Sequence, residues 1–281
     1  MILESPSKIN LGLNVVSKRD DGYHNIETIF LPIMLSDKIT YNKSEELKFN
    51  SDSHSLNNFS DNLILKAIIL IESYTNKRFT LDIFVNKRIP IGGGLGGGSS
   101  NAAVTLKAIN NFFNLGLNFE ILYKLAIKLG SDVPYFLNPI SCYADSRGEV
   151  IHPLNIEIPY PILVVNPGIQ INTSWAFTKV YPSKPIFSLK NILSDSIFDF
   201  DILKKYVIND FEEIVFKEYP LIKQIKEDLY NQGAQFALMS GTGSTVYGIF
   251  SNLQKAIWAQ EFFDENFFTF LNNPFAKSSI T

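Results

Sequence analysis

Residues 90–100 read Pro-Ile-Gly-Gly-Gly-Leu-Gly-Gly-Gly-Ser-Ser, with six glycines in the seven positions 92–98. Each ordered glycine costs roughly 0.5–1 kcal/mol of chain entropy relative to alanine, and a turn needs only one or two of them. Such density suits a backbone whose amides must press against a polyanion. Ser99 and Ser100 would then open a helix whose N-terminal amides face the same charge. A flexible linker is the plain alternative, but linkers border polar sequence, whereas this run stands between a strand pattern and a helix pattern.

Two familiar phosphate motifs do not fit. A P-loop ends in Gly-Lys-Ser/Thr, and here Gly98 is followed by Ser99 and Ser100 with no lysine. Residues 92–97 satisfy G-x-G-x-x-G, a weak pattern inside a glycine run. The acidic residue expected about 20 positions further on falls near Glu120, at a helix start rather than a strand end. On the residues alone a dehydrogenase remains the competing enzyme class. Other candidates are single side chains. Asp132, in the loop Ser131-Asp132-Val133-Pro134, reads as a turn aspartate bonding its own backbone. Lys8 reads as a surface lysine, although it stands between Pro6 and a strand. His24, His54 and His152 read as polar turn residues, and Cys142 as a small buried side chain.

The elements that would position these groups follow from periodicity. Short strands are expected at 9–16, 28–35 and 38–41, with turns at Asp20-Asp21-Gly22 and Ser36-Asp37. Residues 42–60 are polar and read as a loop or weak hairpin. A helix is expected over 62–74 with Asp61 as its N-cap. The run 79–89 alternates with Leu81, Ile83 and Val85 on one face, so it reads as a strand ended by Pro90. Helices follow at 101–113 and 118–129, then a strand-like 135–137. Prolines 153, 159 and 161 bracket a new strand at 162–165, and a domain boundary is expected near 155, giving domains 1–155 and 156–281. Further helices are expected at 201–218, 220–231 and 253–263. Strands and helices without steady βαβ alternation indicate an α+β fold.

The bulk numbers set limits. With 281 residues the chain can hold two modest domains. Hydrophobic residues at 46%, charged residues at 19% and a net charge of -3 describe a globular chain with no global basic field for nucleic acid. One cysteine excludes an internal disulfide framework. The N-terminus lacks a signal-peptide pattern, and no apolar stretch is long enough to span a bilayer, so a cytoplasmic protein is expected.

Three ordered motifs then give a resemblance. Ser5-Pro-Ser-Lys-Ile-Asn-Leu-Gly-Leu, the glycine run 90–100 and Met239-Ser-Gly-Thr-Gly-Ser-Thr-Val-Tyr-Gly together resemble the GHMP kinases. That resemblance implies a two-lobed kinase with its active site in the cleft between lobes, using ATP with Mg2+. Phosphates would be held by Pro90, Ile91, Gly92, Gly93, Gly94, Leu95, Gly96, Gly97, Gly98, Ser99 and Ser100, with Asn62 near the adenine. Asp132 becomes the expected catalytic base, since the chemistry needs a carboxylate within reach of an attacking hydroxyl. Lys8 becomes the cation that stabilises the developing phosphoryl charge. Within the family, Lys8-Ile-Asn10-Leu, Arg19-Asp-Asp-Gly-Tyr-His24, Asp61-Asn62-Leu-Ile and Gly130-Ser-Asp132-Val-Pro134 are similar to the branch of the non-mevalonate isoprenoid pathway. Its substrate is a cytidyl-diphospho-methylerythritol, phosphorylated on the 2-hydroxyl. By that resemblance His24 bonds the cytosine ring, Tyr23 and Phe177 offer stacking faces, and Asn10 lies near the substrate. Departures are Thr242 for a frequent serine, and the lead-in Asp145-Ser-Arg-Gly-Glu. A homoserine- or mevalonate-type kinase and a non-catalytic nucleotide sensor are the competing readings.

Overall fold

The first 43 residues form two long strands rather than several short ones. In the computed structural model, which describes residues 1–53, 56, 62–192 and 199–275, β1 is Ile2–Lys18 and β2 is His24–Lys43. Ser36 and Asp37, expected to turn, lie inside β2 and are buried. The strand continues because four donors satisfy the Asp37 carboxylate, which removes the usual cost of burying it. Then come β3 (Lys48–Ser51), α1 (Leu63–Thr75), β4 (Leu81–Asn86), α2 (Gly97–Phe112) and α3 (Phe119–Leu129). Residues Pro134–Leu137, expected to be strand-like, form a 3-10 turn, as suits a proline at the first helical position. The chain continues with β5 (Cys142–Asp145), β6 (Val150–Pro153), β7 (Ile162–Asn166), α4 (Thr173–Lys179), α5 (Leu189–Ile192), α6 (Phe200–Tyr206), α7 (Glu212–Glu218) and α8 (Pro220–Asn231). It ends with β8 (Phe236–Met239), β9 (Val246–Ile249), α9 (Leu253–Asp264) and β10 (Phe268–Asn272).

The chain divides into two compact units made of discontinuous stretches. Unit 1 comprises Met1–Lys8, Pro32–Ile91 and Gly96–Ile140; unit 2 comprises Ile9–Leu31, Gly92–Leu95 and Ser141–Thr281.

In unit 1, residues Lys38–Lys43 of β2 pair antiparallel with β4, and β3 pairs parallel with β4 on its other edge. The alternation of Leu81, Ile83 and Val85 turns those side chains into the core. Buried Ile64, Ile68 and Ile71 of α1, Ala102, Leu106 and Ile109 of α2, and Leu122 and Leu125 of α3 meet it. Their spacing is the helical apolar stripe. The N-cap of α1 is Asn62, whose Oδ1 accepts from Ile64 N–H at 2.9 Å. Asp61, expected in that role, lies outside the described residues, as does His54.

In unit 2, Thr28–Phe30 of β2 pair antiparallel with β5, and β5 pairs with β6. A second sheet is antiparallel in the order β10-β7-β9-β8. Its core gathers Leu163, Val165, Ala237 and Val246 with Val215 of α7, Ile225 and Leu229 of α8, and Ala256 and Phe263 of α9. The single helix expected over 201–218 is two helices. Between them the backbone bonds outward: Leu13 N–H donates to Ile208 O and Asp210 N–H to Leu13 O, each at 2.9 Å. Asn209, buried, donates to Met239 O and Gly241 O at 2.7 and 2.8 Å. Those bonds replace the helical ladder, so the helix stops. Cys142 is buried in β5, where burial pushes its thiol up to about 12. His152, expected in a turn, stands on β6 within 3.1 Å of Asp145 Oδ2.

Candidate active site

In unit 1 the last glycines of the run, Gly96, Gly97 and Gly98, lead directly into helix α2. The helix was expected from Asn101, but it begins at Gly97, inside the run, with Gly96 as its N-cap at φ +72°. Gly96 supplies no capping side chain, so nothing of its own covers the first-turn amides. That end of α2 is therefore suited to an anion. A Cβ at Gly96 would lie 2.6 Å from the Phe136 ring and 3.3 Å from Lys8 Cε, so only glycine lets the helix start this close to Lys8. Lys8, on β1, is almost fully buried and its Nζ lies 3.6 Å from Asp132 Oδ2. Burial pushes the Lys8 ammonium below its ordinary value, and Asp132 pulls it back up. Asp132 stands between the Gly130 cap of α3 and the 3-10 turn, with its side chain 34% exposed. Lys8, Asp132 and the N-terminus of α2 thus come together within one unit. Asn62 holds α1, its Nδ2 also donating to Leu56 O at 3.1 Å.

Pro90 and Ile91 also lie in unit 1, whereas unit 2 holds residues 92–95 and the expected Asn10, Tyr23, His24 and Phe177. Asn10 is buried on β1, where its Nδ2 donates to Thr28 Oγ1 at 2.8 Å and its carbonyl accepts from Tyr247 Oη at 3.0 Å. Ser240 Oγ accepts from Asn10 N–H at 3.2 Å and lies 3.0 Å from Gly94 O. Thr245 N–H donates to Gly93 O at 3.2 Å. Residues 92–95 are thereby laced to the motif around Ser240. His24 stacks on Phe177 with centroids 5.2 Å apart and 27° between planes, and Phe177 also meets Phe211 edge-on. Burial and the charge of Lys18 push the His24 imidazole below its ordinary value. Tyr23 is 53% exposed and carries the Arg147 guanidinium 4.8 Å from its ring centre, a cation–π geometry.

Ser240 and Arg147 are site neighbours that the sequence reading did not single out. Ser240 lies in the Met239–Gly248 motif and Arg147 in the stretch Asp145–Glu149, but their partners stand far away in the sequence. Glu27 is a third: buried, it accepts from Asn14 Nδ2, Ser188 Oγ and Leu189 N–H at 2.9, 2.7 and 3.0 Å. It braces β1 against β2.

The lacing of Gly94 yields a mutational expectation. Its φ is +77°, and a Cβ there would lie 2.1 Å from Ser240 O, a backbone atom that cannot swing aside. Gly94→Val should lower the melting temperature and weaken ATP binding by about tenfold or more. Gly98→Ala, whose Cβ would meet Leu63 Cδ1 at 3.6 Å and nothing nearer among the described residues, should leave the melting temperature nearly unchanged. Equal thermal stability of the two variants in calorimetry would contradict this packing.

The GHMP kinases N terminal domain matches residues 62–138 and the GHMP kinases C terminal domain matches residues 190–268. With the α+β architecture described above, these matches define a small-molecule kinase of the GHMP class. The 4-diphosphocytidyl-2-C-methyl-D-erythritol kinase of Chlorobium phaeobacteroides (strain BS1) is 39% identical over 274 residues, covering 96% of each chain. That of Azobacteroides pseudotrichonymphae is 40% identical over 270 residues, covering 95% of this chain and 100% of its own. A crystal structure of 4-(cytidine 5'-diphospho)-2C-methyl-D-erythritol kinase matches with TM-score 0.80 and 29% identity, covering 96% of this chain and 98% of that one. The mevalonate kinase of Methanococcus jannaschii shares the fold, with TM-score 0.66 at 18% identity, covering 96% of this chain and 97% of its own. The chain belongs to the 4-diphosphocytidyl-2-C-methyl-D-erythritol kinase family of the GHMP kinases.

Proposed function

We propose that this chain transfers the γ-phosphoryl group of ATP to the 2-hydroxyl of 4-diphosphocytidyl-2-C-methyl-D-erythritol, with Asp132 as the base. The observation that carries the assignment of chemistry is the 3.6 Å approach of Lys8 to Asp132 beside the open N-terminus of α2. The 2-hydroxyl proton passes to an Asp132 carboxylate oxygen as the hydroxyl oxygen bonds to the γ-phosphorus. The bond from that phosphorus to the β–γ bridging oxygen breaks, and ADP leaves. Lys8 stabilises the charge on the transferring oxygens. Such transfer depends mainly on positioning and electrostatics.

The phosphates would rest on the backbone of 92–98 with Ser99 and Ser100, between Pro90 and Ile91 on one side and α2 on the other, and Asn62 would stand near the adenine. Mg2+ would enter with the nucleotide and neutralise phosphate charge when bound. Among the described residues no three His, Cys, Asp or Glu side chains gather into a metal site. Magnesium commonly binds through substrate phosphates with few protein ligands. The cytosine would be read by His24 between Tyr23 and Phe177, with Asn10 toward the methylerythritol. A division into domains 1–155 and 156–281 stays a proposal: the two family matches, 62–138 and 190–268, lie on either side of residue 155, while the compact units group residues 9–31, 92–95 and 141–155 with the C-terminal half. A cytoplasmic location is proposed with the pathway; among the described residues no helix is long and apolar enough to cross a membrane.

ATP consumption by the purified protein tests the reading. The cytidyl alcohol should support turnover where homoserine and mevalonate do not, and preference for either of those would overturn it. His24→Ala should raise KM for the cytidyl alcohol by about 5- to 150-fold, the equivalent of roughly 1–3 kcal/mol for a lost nucleobase pairing. KM for ATP should stay within a factor of about two on the same reasoning. A rise in KM for ATP instead would mean that the two pockets are exchanged.

A further inference from the structure

We propose that Asp37 is a positioning residue for the glycine loop: its buried carboxylate ties the strand entering the loop to the helix leaving it, and so fixes the spacing of the loop's ends. The inference rests on the reading of 90–100 as the nucleotide loop.

The geometry is confined to unit 1. Asp37 is 0% exposed. Its Oδ1 accepts from Arg88 N–H and Ile89 N–H, both at 2.8 Å. These are the two residues before Pro90, where the strand gives way to the loop. Its Oδ2 accepts from Lys87 Nζ at 2.5 Å and from Asn101 Nδ2 at 2.9 Å. Asn101 lies one turn into α2, just after the loop. All four lone-pair positions of the carboxylate are thus in use, two on each side. Asn101 Nδ2 also donates to Ser5 Oγ at 2.8 Å, and Ser5 Oγ donates to Ser100 Oγ at 2.8 Å, which extends the tie along the helix start.

The ends also touch directly. A Cβ on Gly97 would lie 3.0 Å from both Lys87 Nζ and Ile89 Cγ2, so the first residue of α2 rests on the strand end that Asp37 holds. A stability role alone does not account for this arrangement. Buried ion pairs can often be replaced by apolar groups at no loss in stability, because desolvation cancels much of their attraction. Burial does push the Lys87 ammonium down, against the pull of Asp37. What an apolar pair cannot supply is direction: two amides on one oxygen, and two donors on the other, fix where strand and helix stand. Misplacing phosphate-binding amides by about 1 Å can cost on the order of 10²-fold in function.

Two variants test this. Asp37→Asn puts a donor where only donors approach, and Asn101→Ala cuts the helix tie while leaving the strand fork and Lys87 in place. Leu125→Ala, a buried apolar truncation on α3, serves as a control for loss of stability alone. Equilibrium binding of a fluorescent ATP analogue and of the cytidyl alcohol, with a thermal melt, is measured for each. The expected result is a Kd for the ATP analogue raised about tenfold or more in both variants, with Kd for the alcohol within about twofold. Leu125→Ala should melt earlier with both affinities unchanged. If Asp37→Asn fails to melt cooperatively, Asn101→Ala decides alone. Wild-type binding of the analogue, joined to equally tight binding by Asn101→Ala, would overturn the clamp and leave the loop assignment standing. Absence of analogue binding by the wild type would overturn both.

Discussion

Asp132→Asn should lower kcat by roughly 10²–10⁴-fold, about 3–5 kcal/mol of barrier, while the fold and both ligand affinities stay close to wild type. Asn is nearly isosteric with Asp. The turn from Gly130 to Pro134 is held by the Val133 N–H to Gly130 O bond at 3.2 Å, which the substitution does not touch. The Asp132 side chain is partly exposed, and asparagine keeps an amide oxygen that can face the buried Lys8 ammonium, although it no longer carries the countercharge. What is lost is the capacity to take a proton from the attacking hydroxyl. Steady-state kcat with Kd for each ligand is the measurement, and a variant that loses ATP affinity in proportion to kcat would make Asp132 a binding residue instead.

Lys8→Met should reduce kcat by roughly 10²-fold or more, because a cation aimed at developing charge is typically worth that much. Methionine fills much of the stem volume and does not restore the charge. In the double variant the loss should approach that of the worse single variant rather than the product of the two. Both groups would act on one proton transfer and one phosphoryl group, and such units are non-additive. A pH signature accompanies this. Burial lowers the pKa of Lys8, so its charge is present below the lowered value and lost as pH rises through it. The alkaline limb of kcat should therefore begin below the ordinary lysine range of about 10.4, and it should vanish in Lys8→Met. Losses that multiply cleanly, or an alkaline limb that survives the substitution, would separate Lys8 from the chemistry.

Much of this was legible in the chain because some positions leave few physical choices. Gly94 and Gly96 take positive φ, and a Cβ on either would strike Ser240 O or the Phe136 ring, so glycine is required there. The alternation through β4 and the stripes of α1 and α3 gave elements close to those observed. What escaped the local reading depends on partners far away in sequence. Asp37 looked like a turn residue since its four donors lie 50 to 64 positions on. Ser240 meets Asn10 across 230 positions. The break between α6 and α7 follows from Asn209 reaching Met239 and Gly241, a pull invisible to helical periodicity. Polar side chains that bond distant backbone carry no period, so pattern reading assigns them to turns or surfaces.

In the proposed reaction Asp132 takes the proton during phosphoryl transfer to the cytidyl alcohol. Single-turnover rapid quench with γ-labelled ATP, both ligands saturating, isolates that step from binding and product release. Wild type should form labelled phospho-product in one exponential, and Asp132→Asn should do so at least about 10²-fold more slowly at equal ligand occupancy. A single-turnover rate for Asp132→Asn within a factor of about three of wild type would contradict the account.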